Sequence, residues 1–132
     1  MSLEDNVLKL IALAEQGKFL EALQQFYAED AVMQDNNGLP RVGLANILAH
    51  ERKAMAAFKE MHVNRADSFL MDADRVAINW IYEYTAADGR RYRLDEIAYQ
   101  VWRNGKVIRE RFYYDPAQMR VEIDAGEYAA AS

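Results

Sequence analysis

The 132-residue chain contains no cysteine, which excludes disulfides, thiolate metal sites and cysteine nucleophiles. It has only two histidines, His50 and His62, and two separated imidazoles among many carboxylates do not define a metal set. His50 falls within a helical stretch and His62 at a helix-to-strand junction. They read as a surface residue and a helix-end cap, with a histidine base beside a pocket as the other reading. No glycine-rich phosphate loop is present, since Gly43 before a helix start stands alone. No apolar run is long enough to span a bilayer, and Glu4, Asp5 and Asn6 come too early for a basic, apolar leader. Basic residues are the minority, 16 against 21 acidic, for a formal charge of -5. That balance disfavours a nucleic-acid surface. The expectation is a cytoplasmic protein with no cofactor, no metal, and neither nucleic acid nor membrane as partner.

Tyrosine is plentiful, with eight copies beside five phenylalanines and two tryptophans. A ring with a hydroxyl suits a half-buried sheet, a polar-tipped pocket or an interface. The length suits one domain spanning 1–132, which can bury roughly two-thirds of its unfolded surface.

Leu3, Val7, Leu10, Ile11 and Ala14 recur at helical spacing, with Ser2 as cap, Asp5 in the first turn and Gly17 as terminator. A second short stripe runs from Phe19 to Tyr27. Ala31 to Met33 reads as a brief strand, and Asp35 to Pro40 as a turn-rich loop. A longer helix is expected over 44–59. Four strands follow, over 63–71, 76–85, 91–102 and 107–114. Their turns fall at Ala73-Asp74, Asp88-Gly89 and Asn104-Gly105, the last two being two-residue hairpin signals. The segment 116–132 is an edge strand or an extended tail. The whole predicts an α+β fold with N-terminal helices packed on a curved antiparallel sheet.

Counting outward from two-residue loops pairs Tyr99 with Glu110, Ile97 with Phe112, and Trp80 with Ile97. One face then collects Trp80, Tyr82, Tyr84, Arg93, Asp95, Ile97, Tyr99, Glu110, Phe112 and Tyr114. Being richer in rings and aliphatics, it is expected to face the helices. Glu96, Gln100, Trp102, Arg109 and Arg111 fall on the other face. A buried carboxylate is costly unless paired, hydrogen-bonded or protonated. Glu110 is therefore either a satisfied structural residue or a pocket acid meeting ligand, with Tyr99 opposite it. Asp95 and Arg93 are expected to pair at the rim.

The segments Phe26-Tyr27-Ala28-Glu29-Asp30-Ala31-Val32 and Asn104-Gly105-Lys106-Val107-Ile108, followed by Arg111-Phe112-Tyr113-Tyr114-Asp115, resemble the nuclear-transport-factor-2-like superfamily. The likeness is to its SnoaL-like branch and, more distantly, to ketosteroid isomerases. It implies a cone-shaped α+β fold, a central pocket and frequent dimerisation. In ketosteroid isomerases an aspartate ending the first strand moves a proton between substrate carbons, and Asp35 matches that position. Leu10 and Ile97 stand where that family supplies its tyrosine and its protonated acid, so the donor set departs from the pattern. The aspartate–arginine–aspartate set of related epoxide hydrolases is not matched either.

Two functions compete. The first is binding of a small, partly apolar organic molecule, with cofactor-independent acid–base isomerase, cyclase or hydrolase chemistry. Its catalytic candidates are Asp35, Glu110 and Tyr99, and its ligand-contacting candidates are Trp80, Tyr82, Asp95, Ile97, Phe112 and Tyr114. The second is a non-catalytic homodimeric interaction module using the outer sheet face, including Trp102, Arg109 and Arg111.

Overall fold

In a computed structural model, residues 1–123 are described, apart from the side chains of His62 and Val63. Helix α1 spans Leu3–Glu15 and opens on the expected cap. The Ser2 hydroxyl accepts from the Asp5 amide, and the Asp5 carboxylate accepts from the Ser2 amide. This reciprocal pair satisfies orphan donors of the first turn. Gly17 follows at φ +80°, and helix α2 occupies Phe19–Phe26. Strand β1, Tyr27–Asp35, is longer than the brief strand expected. After the short β2, Arg41–Val42, helix α3 covers Leu44–Ala56.

The remaining strands are β3 (Phe58–Asp72), β4 (Arg75–Ala86), β5 (Arg91–Arg103) and β6 (Lys106–Tyr113). They form one sheet in the order β2-β1-β6-β5-β4-β3. All neighbours are antiparallel except β1 and β6, which run parallel. The sheet is thus mixed, not purely antiparallel, because α3 carries the chain from β2 to the opposite edge at β3 and the meander then returns β6 beside β1 in the same direction. The expected tail begins as a 3-10 turn, Pro116–Arg120, and its remainder, 124–132, lies outside the described residues. Among the described residues no helix is long and apolar enough to cross a membrane.

The core joins Val7, Leu10 and Ile11 of α1 to Phe26, Met33, Ile47, Ile78 and Trp80. Helix α3 is the loose layer, since Ile47 is its only fully buried residue. Its other inward residues border open space, which is where the cavity lies.

The expected register of β5 is corrected. Asp88-Gly89 does not close a two-residue loop. Thr85 pairs with Arg91, and the Ala86 amide donates to the Arg90 carbonyl. The loop therefore holds Ala87, Asp88 and Gly89, with Gly89 at φ +88°, a three-residue hairpin connection that needs a residue in the left-handed region. On the other side Trp102 pairs with Val107 but Val101 pairs with Arg109. Ile108 is thus an extra residue, a bulge. Each change shifts pairing by one position, and a one-residue slip reverses a strand's faces. β5 lies between both changes and is inverted, and Val107, on the turn side of the bulge, turns inward with Trp102. Glu96, Gln100 and Trp102 point inward and are buried. Asp95, Ile97 and Tyr99 point outward, with Ile97 and Tyr99 about 40% exposed (41% and 40%).

Candidate functional site

Two adjoining chambers lie between the helices and the inner sheet face. The outer one has a volume of about 240 Å³ and is lined by Asp35, Arg41, His50, Glu51, Glu96 and Tyr114 among others. The inner one, about 70 Å³, lies against Leu10, Ala14, Ala22, Leu23, Tyr27 and Glu110. Phe19, Met33, Glu51, Tyr82 and Phe112 line both chambers.

Asp35 ends β1 where Phe112 of β6 pairs beside it. The loop that follows is pinned to β6. The Asn36 amide donates to the Phe112 carbonyl at 2.7 Å, and the Tyr114 amide donates to Asn36 Oδ1 at 2.9 Å. Arg111 donates from Nε to the Asn36 carbonyl at 2.8 Å. These bonds fix Asp35 and Tyr114 together at the chamber. The Tyr114 hydroxyl donates to Asp35 Oδ2 at 3.2 Å, and Arg41 donates to Oδ1 at 3.1 Å. Burial, then the Asp35 carboxylate, push the Tyr114 hydroxyl up to about 12. Arg41 keeps a buried Nε with no hydrogen-bond partner.

Glu96 sits on β5 opposite Trp80. Burial, reinforced by the charges of Glu110, Asp35 and Glu51, raises its carboxyl to about 8, while a hydrogen bond with Tyr82 works in the other direction. At neutral pH Glu96 is thus a neutral acid able to donate. Burial likewise raises Glu51.

Glu110 is 2% exposed and held at both oxygens. The Tyr27 hydroxyl donates to Oε1 at 2.5 Å, and Gln100 Nε2 donates to Oε2 at 2.7 Å. Trp102 Nε1 donates in turn to Gln100 Oε1 at 2.9 Å. Burial raises Glu110 to about 7 against the opposing pull of those two donors.

Of the sequence-derived candidates, Asp35, Glu110, Trp80, Tyr82, Phe112 and Tyr114 all border the chambers. Tyr99, Asp95 and Ile97 do not. The inversion of β5 turns them to the outer face, where Tyr99 accepts from Arg75 and Asp95 accepts from Asn79 at 2.7 Å. Arg93 is not a rim partner of Asp95 but pairs with the buried Glu83 at 3.0 Å. The residue facing Glu110 is Gln100, not Tyr99.

Glu96, Glu51, Arg41, Tyr27 and Gln100 were not singled out as site residues. Glu96 occupies the pocket role that straight counting gave to Ile97, one position away. The period-two pattern could have found it only with the loop length known. Glu51 lies one turn from Ile47 on α3, so helical spacing did carry a signal for it. His50, expected at the helix surface, is exposed yet lines the outer chamber, and burial lowers its pKa. Among the described residues no group of three or more His, Cys, Asp or Glu side chains could hold a metal ion.

A curled sheet closed by helices around an acid-lined cavity defines the nuclear-transport-factor-2-like class of pocketed α+β cones. A family profile described as a SnoaL-like domain matches residues 7–110, and the chain belongs to that family. Comparison with curated proteins gives no match. A candidate SnoaL-like polyketide cyclase from Mesorhizobium loti is similar with a TM-score of 0.78 at 22% identity, over 86% of this chain and 100% of that one. An NTF2-like protein of unknown function from Burkholderia pseudomallei is similar with a TM-score of 0.78 at 20% identity, over 90% and 95%. IdmH, a candidate polyketide cyclase from Streptomyces antibioticus, is similar with a TM-score of 0.75 at 20% identity, over 91% and 96%. At these identities the likeness establishes the fold alone.

Proposed function

We propose that this protein binds a small, partly apolar organic molecule with an enolisable carbonyl in the outer chamber and moves a proton there, as an isomerase or cyclase does. The observation that carries the reading is the contrast between two carboxyl groups of one chamber. Asp35 accepts from Arg41 and Tyr114, whereas Glu96 is held protonated by burial at neutral pH. A carboxylate held by two donors and a carboxyl kept protonated beside the same chamber suit base and acid roles respectively. Asp35 takes the carbon-bound proton. Glu96, with the Tyr82 hydroxyl, donates toward the oxygen on which charge develops. Trp80, Tyr82, Phe112 and Tyr114 supply the apolar and aromatic contact area, and Glu110 is a second acid reserved for the inner chamber.

The test is solvent-deuterium exchange at the central carbon of 1,3-diketones, followed by proton NMR. The protein should accelerate exchange, and Asp35→Asn should cut the acceleration by roughly 100-fold or more. Acceleration that survives both Asp35→Asn and Glu96→Gln would remove the proton-transfer assignment.

The outer sheet face supports a second reading, a homodimeric module. Ile97, Tyr99 and Tyr113 are exposed there beside Arg109 and Arg111. Trp102 is not part of that surface, being 3% exposed and turned inward. Sedimentation at low micromolar concentration checks this reading, and a monomer removes it.

A further inference from the structure

The inner chamber is not spare room in the main pocket. Its walls from α1 and α2 are apolar, and the small side chains Ala14 and Ala22 leave it open. Its volume of about 70 Å³ is roughly half that of an apolar cavity of about 150 Å³ that takes up benzene, enough for an acetyl-sized group but too little for a ring. Its polar end is the Tyr27–Glu110 pair. Trp102 offers only a donor, so it fixes the Gln100 amide with oxygen toward the indole and nitrogen toward Glu110 Oε2. Oε2 therefore always receives a hydrogen, and any proton on Glu110 must sit on Oε1, against Tyr27. When Oε1 carries that proton it donates to the Tyr27 oxygen, and the Tyr27 hydrogen is released to turn into the chamber. When Oε1 is bare, Tyr27 must donate to it instead.

We propose that the inner chamber is a separate subsite for a short apolar arm ending in a carbonyl, with the Tyr27 hydroxyl as its hydrogen-bond donor and Ala14 and Ala22 as the residues that set the arm's length. This deepens the proposed function and rests on it, since the rest of the ligand occupies the outer chamber. Buried polar groups reject a partner that cannot pair with them, so the subsite selects for the carbonyl as well as for size. The ionisable groups around Glu110 are Tyr27 on β1, Arg41 on β2, Glu51 on α3, Tyr82 on β4 and Glu96 on β5. Glu110 has its carboxyl raised to about 7 and Glu96 its own to about 8, and of the two only Glu110 is bonded to Tyr27. The carbonyl preference should therefore be larger at pH 6 than at pH 8.5.

The test uses calorimetric titration with three probes, 4-methylphenol, 4-butylphenol and 4-(4-hydroxyphenyl)butan-2-one. The ketone should bind roughly tenfold more tightly than 4-butylphenol at pH 6. Tyr27→Phe should bring that ratio close to one. Ala22→Leu, which fills the chamber without removing a polar group, should reduce the advantage of both long-armed probes over 4-methylphenol. A ketone preference unchanged in Tyr27→Phe, or a long-arm advantage unchanged in Ala22→Leu, overturns the subsite while leaving the outer pocket standing. If none of the three probes binds, the proposed function falls and the subsite with it.

Discussion

Trp80 lies directly opposite Glu96 across the β4–β5 ladder, and both side chains are buried on the inner face. The same alternation puts Ala98 between Ile78 and Phe112, fully buried, while Ile97 stays 41% exposed. Ala98→Leu should therefore overpack the inner layer and cost about 1–3 kcal/mol. Ile97→Ala, on the outer face, should cost much less. Urea denaturation of the two variants measures the difference, and the reverse order would mean that β5 faces the other way.

The buried acids give stability a pH dependence of definite sign. Glu96 and Glu110 are raised from the ordinary 4.5 to about 8 and about 7. The folded chain thus holds protons that the unfolded chain has released, and stability falls with rising pH in that window. The contribution is fully present below about 4.5 and is lost as pH climbs through 7 to 8, a change on the order of a few kcal/mol. Denaturation at pH 5, 7 and 9 should show the decline, and Glu96→Gln should flatten it. Equal stability at pH 5 and 9 would contradict the protonated assignment.

Gln100 joins Trp102 to Glu110, with no exposure of its own. Gln100→Leu leaves the indole donor and Glu110 Oε2 without partners, at about 1–3 kcal/mol for each neutral buried group. The loss should appear as a lower urea midpoint with an unchanged slope. A neutral effect would mean that water replaces the amide.

Asn36 sits at φ +50° and accepts the Tyr114 amide. Asn36→Gly keeps the backbone conformation and loses the hydrogen bond, whereas Asn36→Ala loses both. The alanine variant should be less stable than the glycine variant by about 1 kcal/mol. Matched denaturation curves decide it, and equal curves would show that the left-handed conformation carries no cost here.

The helices, the strands and the meander order were legible because helical spacing and period-two alternation are local properties of the chain. Trp80, Tyr82, Glu110, Phe112 and Tyr114 reached the cavity wall for the same reason, whereas Asp35, which also lines it, was placed there only by the family resemblance. The wall contributed by β5 was not legible. Its direction depends on whether Asp88-Gly89 closes a loop of two residues or three, and on an extra residue at Ile108. Asp-Gly fits either loop, and isoleucine carries no mark of a bulge. Both faces of β5 also mix apolar and polar side chains, so Leu94, Glu96 and Ala98 read no better than Arg93, Asp95 and Ile97. The two offsets cancel across the strand, which is why β4 and the part of β6 beyond the bulge were read correctly while the strand between them was inverted.

That cancellation makes β5 an exchangeable panel. Gaining or dropping a single amino acid in the Ala87–Gly89 hairpin, matched by one at Ile108, would exchange Glu96 and Gln100 for Asp95, Ile97 and Tyr99 together, with the flanking strands untouched. Two differently lined cavities are thus near neighbours in sequence space, separated by two indels and no point mutations.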